Sequence, residues 1–335
     1  MDIRSLPKVE LHLHLDCSLS FEVVSQIKPS VTRMEYDRDF IGPAKCANLT
    51  DLLIRAAKGF ELMQAEEELR VVTADLFEQL KCDHVLYAEI RFAPLLHTRR
   101  GLAPKEVVEI VDDMVAKASA ASGVEARLIL CTLRHYTQEQ SLQTAKLVDL
   151  FRGSRVVALD IAGDEAGFPI DAHIPAFQYA IDKRIPRTAH AGEARGTESV
   201  WETLRYFQPS RIGHGVRSIE DPDLIEHLRQ SGIHLEVCPT SNVHIDIYDT
   251  YGDHPIDSLY RRGVSVGVNT DARTLVNITL RGEYERLHDV FGWRKEHFLA
   301  CNLNAVEAAF IPDSVKRSLA DRLREAYTKC HTVPA

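Results

Sequence analysis

The sequence predicts an α/β chain folded as a (β/α)₈ TIM-type barrel, with a helical insertion between strand 1 and strand 2. Three observations predict it. Eight apolar runs of strand length recur along 335 residues. They are rich in Val, Ile and Leu rather than alternating apolar with polar, as strands covered on both faces are. Amphipathic stretches with helix start signals lie between them. No G-x-G-x-x-G follows an early strand, because Gly192, Gly196 and Gly213 lack that spacing, and this weighs against an open doubly wound sheet.

The strands are expected at residues 9–14, 85–92, 126–133, 156–161, 187–190, 211–214, 233–237 and 264–269. Helical stretches are expected over 73–80, 138–151, 198–207 and 221–230. Another opens at Ala103-Pro104-Lys105, where Pro suits a first helical turn, and Asp221 caps a helix with Pro222 behind it. Residues 20–79 exceed an ordinary connection between a barrel strand and the next. Within them, 21–26 and 49–62 read as helix, and 30–48, following Pro29 and containing Gly42 and Pro43, as irregular chain. Active sites of barrels form at the C-terminal ends of the strands, so this segment is expected over the mouth as a lid or pocket wall. No internal repeat or polar linker interrupts residues 1–335, so a single domain is expected.

Composition narrows the function. Forty Lys+Arg against 49 Asp+Glu give a net charge of −9, which disfavours nucleic acid as a partner. Apolar runs such as 127–133 fall far below the ~20 residues a membrane helix needs, and residues 1–8 show no signal-peptide pattern. Seven cysteines, at 17, 46, 82, 131, 238, 301 and 330, are odd in number and never paired as C-x-x-C. That usage fits reduced thiols in a cytoplasmic enzyme better than a disulfide framework or a thiolate zinc site.

The informative polar residues fall at strand ends. His12 and His14 close the first strand, and spacing of two puts both imidazoles on one face. His190 ends the fifth strand, His214 the sixth, and Asp271 the eighth. Neutral imidazoles with a carboxylate suit Zn²⁺, which accepts N and O ligands. Any one of the 15 histidines could be a satisfied core residue, but five such groups at one end of a barrel point to a metal centre. Glu193 follows His190 across Ala191 and Gly192. It sits where a carboxyl can shuttle protons beside a metal, or where a first-turn acid favours the helix dipole.

Five segments, taken in order, resemble the adenosine deaminase family: the run from Pro7 to Asp16, His190-Ala191-Gly192-Glu193, Arg211-Ile212-Gly213-His214-Gly215, Cys238-Pro239-Thr240-Ser241-Asn242 and Asn269-Thr270-Asp271. The resemblance covers nearly the whole chain. It implies an amidohydrolase-type barrel converting adenosine or 2′-deoxyadenosine to inosine plus ammonia, and one zinc ion bound by His12, His14, His190 and Asp271. It further implies that Glu193 protonates purine N1, for which burial must keep it neutral. His214 is implied to orient and deprotonate the attacking water, Asp16 to contact the sugar 5′-hydroxyl, and the Gly163 backbone to contact purine N3. A small-molecule purine nucleoside is thus the expected partner. The H-x-E…P-C-x-x-C signature of the thiolate-zinc deaminases is absent. The fourth strand carries no lysine of the kind that bridges two metals in related barrels, which favours one zinc.

The pattern departs from the family at one place. A second Asp follows the metal-binding one in its best-known members and bonds purine N7. Here Ala272 and then Arg273 stand there, and alanine cannot make that bond. Water, Arg273 or Asn242 could replace it, or the substrate could be another 6-aminopurine, such as adenine or a modified adenine nucleoside. Arg91, at the end of the second strand, is expected either to face the site or to pair with Glu89 or Asp83. Trp201 and Trp293 are expected in the core.

Overall fold

In the computed structural model, which describes residues 3–329, eight strands run in chain order around a ring. They are β1 (Lys8–His14), β2 (Val85–Phe92), β3 (Glu125–Leu133), β4 (Val156–Ala162), β5 (Thr188–Ala191), β6 (Arg211–His214), β7 (His234–Val237) and β8 (Val266–Val268). Every ladder is parallel, within two sheets ordered β1-β2-β3-β4 and β5-β6-β7-β8. Single parallel bridges, Leu159 to Arg187 and Leu13 to Asp271, join the sheets at both edges. The ring is a TIM-type barrel.

The seam between β8 and β1 is closed largely by side chains. Asn269 Oδ1 accepts from the Leu11 and His12 amides at 2.8 and 3.0 Å, and Asn302 Oδ1 from the Val9 amide at 2.7 Å. Backbone pairing resumes at the strand ends, where the His14 amide donates to Asp271 O (2.8 Å) and the Asp271 amide to His12 O (3.0 Å). A buried amide without a partner costs about 1–3 kcal/mol, so these two asparagines stand in for a missing ladder.

Helices cover the outside. The insertion supplies α1 (Phe21–Ile27), α2 (Arg33–Asp39) and α3 (Leu49–Glu61), and α4 (Glu66–Cys82) leads into β2. Helices α5 (Pro104–Ser122), α6 (Gln138–Leu150), α7 (Ile174–Asp182), α8 (Thr197–Phe207) and α9 (Pro222–Ser231) connect later strands. The short α10 (Pro239–His244) and α11 (Ile256–Arg261) lie between β7 and β8, and α12 (Leu280–Phe291), α13 (Lys295–Ala308) and α14 (Asp313–Lys329) complete the chain. Sequence start signals hold: Asp221 accepts the amides of Asp223 and Leu224 at the head of α9, and Thr137 forms a capping box with Gln140 at α6.

Two expectations are corrected. Residues 30–48 are not wholly irregular, because Thr32 and Glu35 cap each other reciprocally and start α2. Trp201 is not core. The buried stripe of α8 is Ser199, Val200, Thr203 and Phe207, and Trp201 falls beside it, partly exposed, its indole N–H donating to Asp221 at 2.9 Å. Trp293 is fully buried as expected. Among the described residues no helix is long and apolar enough to cross a membrane. The six described cysteines are free thiols, while Cys330 lies outside the described residues.

Asn269→Leu removes the acceptor of two seam amides and should cost about 2–5 kcal/mol of unfolding free energy. Urea unfolding followed by circular dichroism measures it; an unchanged midpoint would show that the seam does not need this side chain.

Candidate active site

The strand ends carry the site because backbone register fixes which side chains meet at the axis. In the β5–β6 ladder His190 pairs with Gly213 and Ala191 with His214. A methyl group at Gly213 would stand 2.9 Å from His12 Cε1 and 3.3 Å from His190 Cα, so the His12 imidazole can pack against this strand only over a glycine. His214 and Asp271 leave their strands with φ of 59° and 64°. That left-handed conformation costs an ordinary residue of order 1–3 kcal/mol and clusters where side-chain direction matters.

One nitrogen or oxygen from each of His12, His190, His214 and Asp271 lies within 4.8 Å of the others. His14 joins the same cluster. Its Nε2 approaches His190 Nε2 at 3.2 Å and Asp271 Oδ1 at 3.3 Å, and His12 Nε2 also lies 3.3 Å from that oxygen. The opposite ring nitrogens are tied down: His12 Nδ1 donates to Glu236 Oε2 at 2.9 Å, and His190 Nδ1 to Asp160 at 3.1 Å. Each carboxylate fixes the tautomer and turns the Nε2 lone pair inward. Ser199 and Ser241 hold other acids in place, Ser241 Oγ donating to Asp271 Oδ2 at 2.7 Å.

Arg91 binds both orienting carboxylates. Its guanidinium donates to Asp160 at 2.8 Å, to Glu236 at 2.6 Å and to Leu11 O at 2.7 Å, all fully buried. It therefore pairs with neither Glu89 nor Asp83, which bond Arg211 and Arg273 instead. Sequence reasoning misses Asp160 and Glu236. The available signal is a charged residue inside an otherwise apolar strand, which must face the barrel interior to find a partner.

Protonation follows from burial. His14 is pushed down to about 3 by burial, and burial likewise lowers His190 and His214. Those imidazoles are neutral bases at pH 7. Glu193 is raised well above the usual carboxylate range, by burial first and then by the charges of Asp271 and Glu165. Its Oε1 lies 3.5 Å from His214 Nε2 and has no hydrogen-bond partner. His214 Nδ1 faces the Asn242 side-chain amide at 3.1 Å. His12 Nε2, also buried, has no hydrogen-bond partner either. Mostly neutral imidazoles, a carboxylate and an orphaned inward lone pair fit a borderline-soft divalent cation, zinc above all.

Above the cluster lies a cavity of about 210 Å³. His14, Asp16, Gly163, His190, Glu193, His214, Asp271 and Ala272 all line it. Its outer wall is the apolar stripe of α3: Leu49, Leu52, Leu53, Ala56 and Phe60, at helical spacing. Leu96, Leu133 and Leu275 extend that apolar lining. Asp16 stays charged, its burial outweighed by His97, whose Nε2 lies 3.7 Å away. Neither side-chain candidate for the N7 contact is free. Arg273 is held by Glu10 at 2.7 Å and Asp83 at 2.8 Å, and Asn242 is engaged by His214 and His254. Among the described residues no Lys or Arg lines the cavity.

The chain matches the adenosine deaminase family over residues 7–326. It is 36% identical over 335 residues to an adenosine deaminase of Lacticaseibacillus casei, covering 97% of each chain. An adenine deaminase structure from Arthrobacter aurescens superposes with a TM-score of 0.89 at 26% identity, covering 97% of this chain and 99% of that one. An amidohydrolase from Burkholderia ambifaria, solved with bound Zn, shares the fold with a TM-score of 0.89 at 21% identity, over 99% and 94% of the two chains.

Gly213→Ala should push the His12 ring off its line and weaken zinc binding by ~10- to 100-fold. Competition with a chromophoric chelator reads this directly, and wild-type affinity would show that the close approach over Gly213 is not needed.

Proposed function

This chain belongs to the adenosine deaminase family, and from that premise we propose that it hydrolyses adenosine and 2′-deoxyadenosine to the 6-oxo nucleoside and ammonia. Its membership makes it a deaminase-type hydrolase acting on a cyclic amidine. The observation that carries the substrate reading is the pairing of a protonated buried carboxylic acid, Glu193, with a neutral His214 at 3.5 Å, on the wall of a base-sized apolar cavity.

We assign His12, His14, His190 and Asp271 as the residues that would hold one zinc ion. His214 is set apart from them because its Nε2 faces Glu193 while its Nδ1 is occupied by Asn242. When bound, zinc supplies the Lewis acidity that makes water a competent nucleophile at neutral pH. The chain's own groups do the rest. Glu193 donates its proton to purine N1, which draws electrons from C6. His214 takes a proton from the water attacking C6 and delivers it to the departing nitrogen. The C6–O bond forms and the C6–N bond breaks; one proton of the water leaves on ammonia, and the other, lost from the new C6 hydroxyl as it becomes the 6-oxo group, restores Glu193 to its acid form. Asp16, on the cavity wall, offers a charged acceptor to a sugar hydroxyl, and Gly163, at φ 97°, leaves its backbone open to N3. A 5′-phosphate finds no cation on the described lining and one carboxylate at the expected sugar end, which favours a nucleoside over a nucleotide.

Ala272 supports a second reading, the same chemistry on adenine or a modified adenine nucleoside, because Arg273 and Asn242 are both engaged elsewhere. The Arthrobacter structure is named for adenine deamination. A panel of adenine, adenosine, 2′-deoxyadenosine and AMP, followed by loss of the adenosine absorbance band, decides between them. Adenosine and 2′-deoxyadenosine should be turned over, and AMP should not. Turnover of adenine alone would transfer the assignment to the second reading. Ala272→Asp should raise adenosine turnover by roughly tenfold, about 1.4 kcal/mol of transition-state binding; a loss would indicate a pocket shaped for another ligand.

The pH dependence has a definite sign. Glu193 must be protonated to donate, and its raised pKa keeps it so at neutral pH, so kcat should fall as pH rises through that raised value. Glu193→Gln should lower kcat by ~10²- to 10⁴-fold and remove this alkaline limb, while zinc content stays at one per chain. Wild-type kcat in the Glu193→Gln enzyme would overturn the assignment.

A further inference from the structure

We infer that Glu165, in the loop that follows β4, is the positioning residue that fixes Glu193 over the substrate. The inference rests on the reading of Glu193 as the proton donor. Glu165 is almost wholly buried, and its carboxylate closes the turn after β5. Oε1 accepts from the Gly192 amide at 2.8 Å and from Ser199 Oγ at 2.5 Å. Oε2 accepts from the amides of Glu193, Ala194 and Arg195 at 3.0, 2.6 and 3.0 Å. Four successive backbone N–H groups thus converge on one side chain.

Such a run of convergent amides is an anion-binding nest, and here the protein fills it with its own carboxylate. Gly192, at φ 67°, makes the turn possible; a methyl group there would stand 2.5 Å from Val200 in α8. The other side of the turn is held from β3's end, where Arg134 donates to His190 O at 2.9 Å and lies 3.9 Å from Glu165 Oε1. Arg134 and Glu165 therefore grip the carbonyl before the turn and the amides within it. This matters for Glu193 because Oε1 of its carboxyl has no protein hydrogen bond. Placement of the acid depends on its backbone, and its backbone amide is bound by Glu165.

A carboxamide cannot reproduce the arrangement. In Glu165→Gln one oxygen remains to accept, and the NH₂ group opposes amides that are themselves donors. A misplacement of about 1 Å at a reacting group costs on the order of 10²-fold in rate. The expected result is a fall in kcat of ~10- to 100-fold, with KM within about threefold of wild type. Zinc content and zinc affinity by chelator competition should not change, because no proposed ligand is touched. Glu165→Asp keeps the charge and should retain a larger share of kcat than Glu165→Gln.

A Glu165→Gln enzyme that melts lower but keeps wild-type kcat would overturn the inference, as would a kcat loss matched by an equal loss of zinc affinity. Should Glu165→Gln not fold, hydrogen exchange in wild type decides. Amides of residues 192–195 should exchange as slowly as those of β5, and rapid exchange there would overturn it. Glu193→Gln run in parallel separates the two levels. An active Glu193→Gln enzyme removes the proton-donor reading itself, whereas an inactive one beside an active Glu165→Gln enzyme removes only the positioning role.

Discussion

The site depends on charges placed where water cannot reach them. Arg91 and Arg211 lie inside the barrel with Glu89, Asp160 and Glu236, all fully buried. Isolated, any of these ions would carry a desolvation cost of several kcal/mol. Together they satisfy one another, and the geometry that satisfies them also aims the histidines. Arg91 holds Asp160 and Glu236 on one planar fork, and each carboxylate then takes the Nδ1–H of one imidazole. A lysine, with one compact ammonium, could not span the same three acceptors. The inner layer is expensive to build and rigid once built, which is what a cluster of inward lone pairs requires.

Rigidity at the strand ends has a second source. His14 approaches the cluster directly from an extended strand end, but His214 and Asp271 must leave their strands at positive φ to do so. Local conformation alone would not choose this. It persists because the ladder, the seam hydrogen bonds through Asp271 and the Ser241–Asp271 contact over-determine the position. Space is allotted in the same spirit: Gly213 yields its side-chain volume to His12, and the sequence around the site reads as it does because backbone and ring compete for the same few ångströms.

Strand positions are legible from sequence because parallel strands buried on both faces leave near-continuous Val/Ile/Leu runs, and all eight runs form strands within about two residues at each end. The histidines, Asp271 and Glu193 are legible as polar residues at the C-terminal ends of those runs. What pairs across the barrel is not. Arg91 meets Asp160 and Glu236 at separations of 69 and 145 residues, and nothing local distinguishes them from Glu89 or Asp83. Glu165 is hidden for another reason. Its partners are backbone amides, which have no sequence identity, so a carboxylate binding four of them looks like any acid in a loop. Trp201 misleads because one residue of helical phase separates a buried position from an exposed one, and α2 because a short capped helix lacks a long apolar period.

Ala272 connects these levels. The residue after it, Arg273, is committed to Glu10 and Asp83, so the chain beyond Asp271 is pinned by structural ion pairs rather than left to reach the ligand. Ala272 itself continues an apolar surface formed by Leu275 and the α3 stripe. The cavity is therefore polar at its histidine-cluster face, where Glu193 and His214 lie, and at Asp16, and apolar between. In the proposed reading, affinity for the five-membered ring of the base comes from burial, worth about 25 cal/mol per Å², and not from a hydrogen bond at N7. Burial is tolerant of shape, whereas proton transfer to N1 is not. Discrimination among purines then falls to the reacting edge: a base that cannot accept a proton from Glu193 and release a nitrogen from C6 can bind this cavity, but its bond to C6 is never made labile.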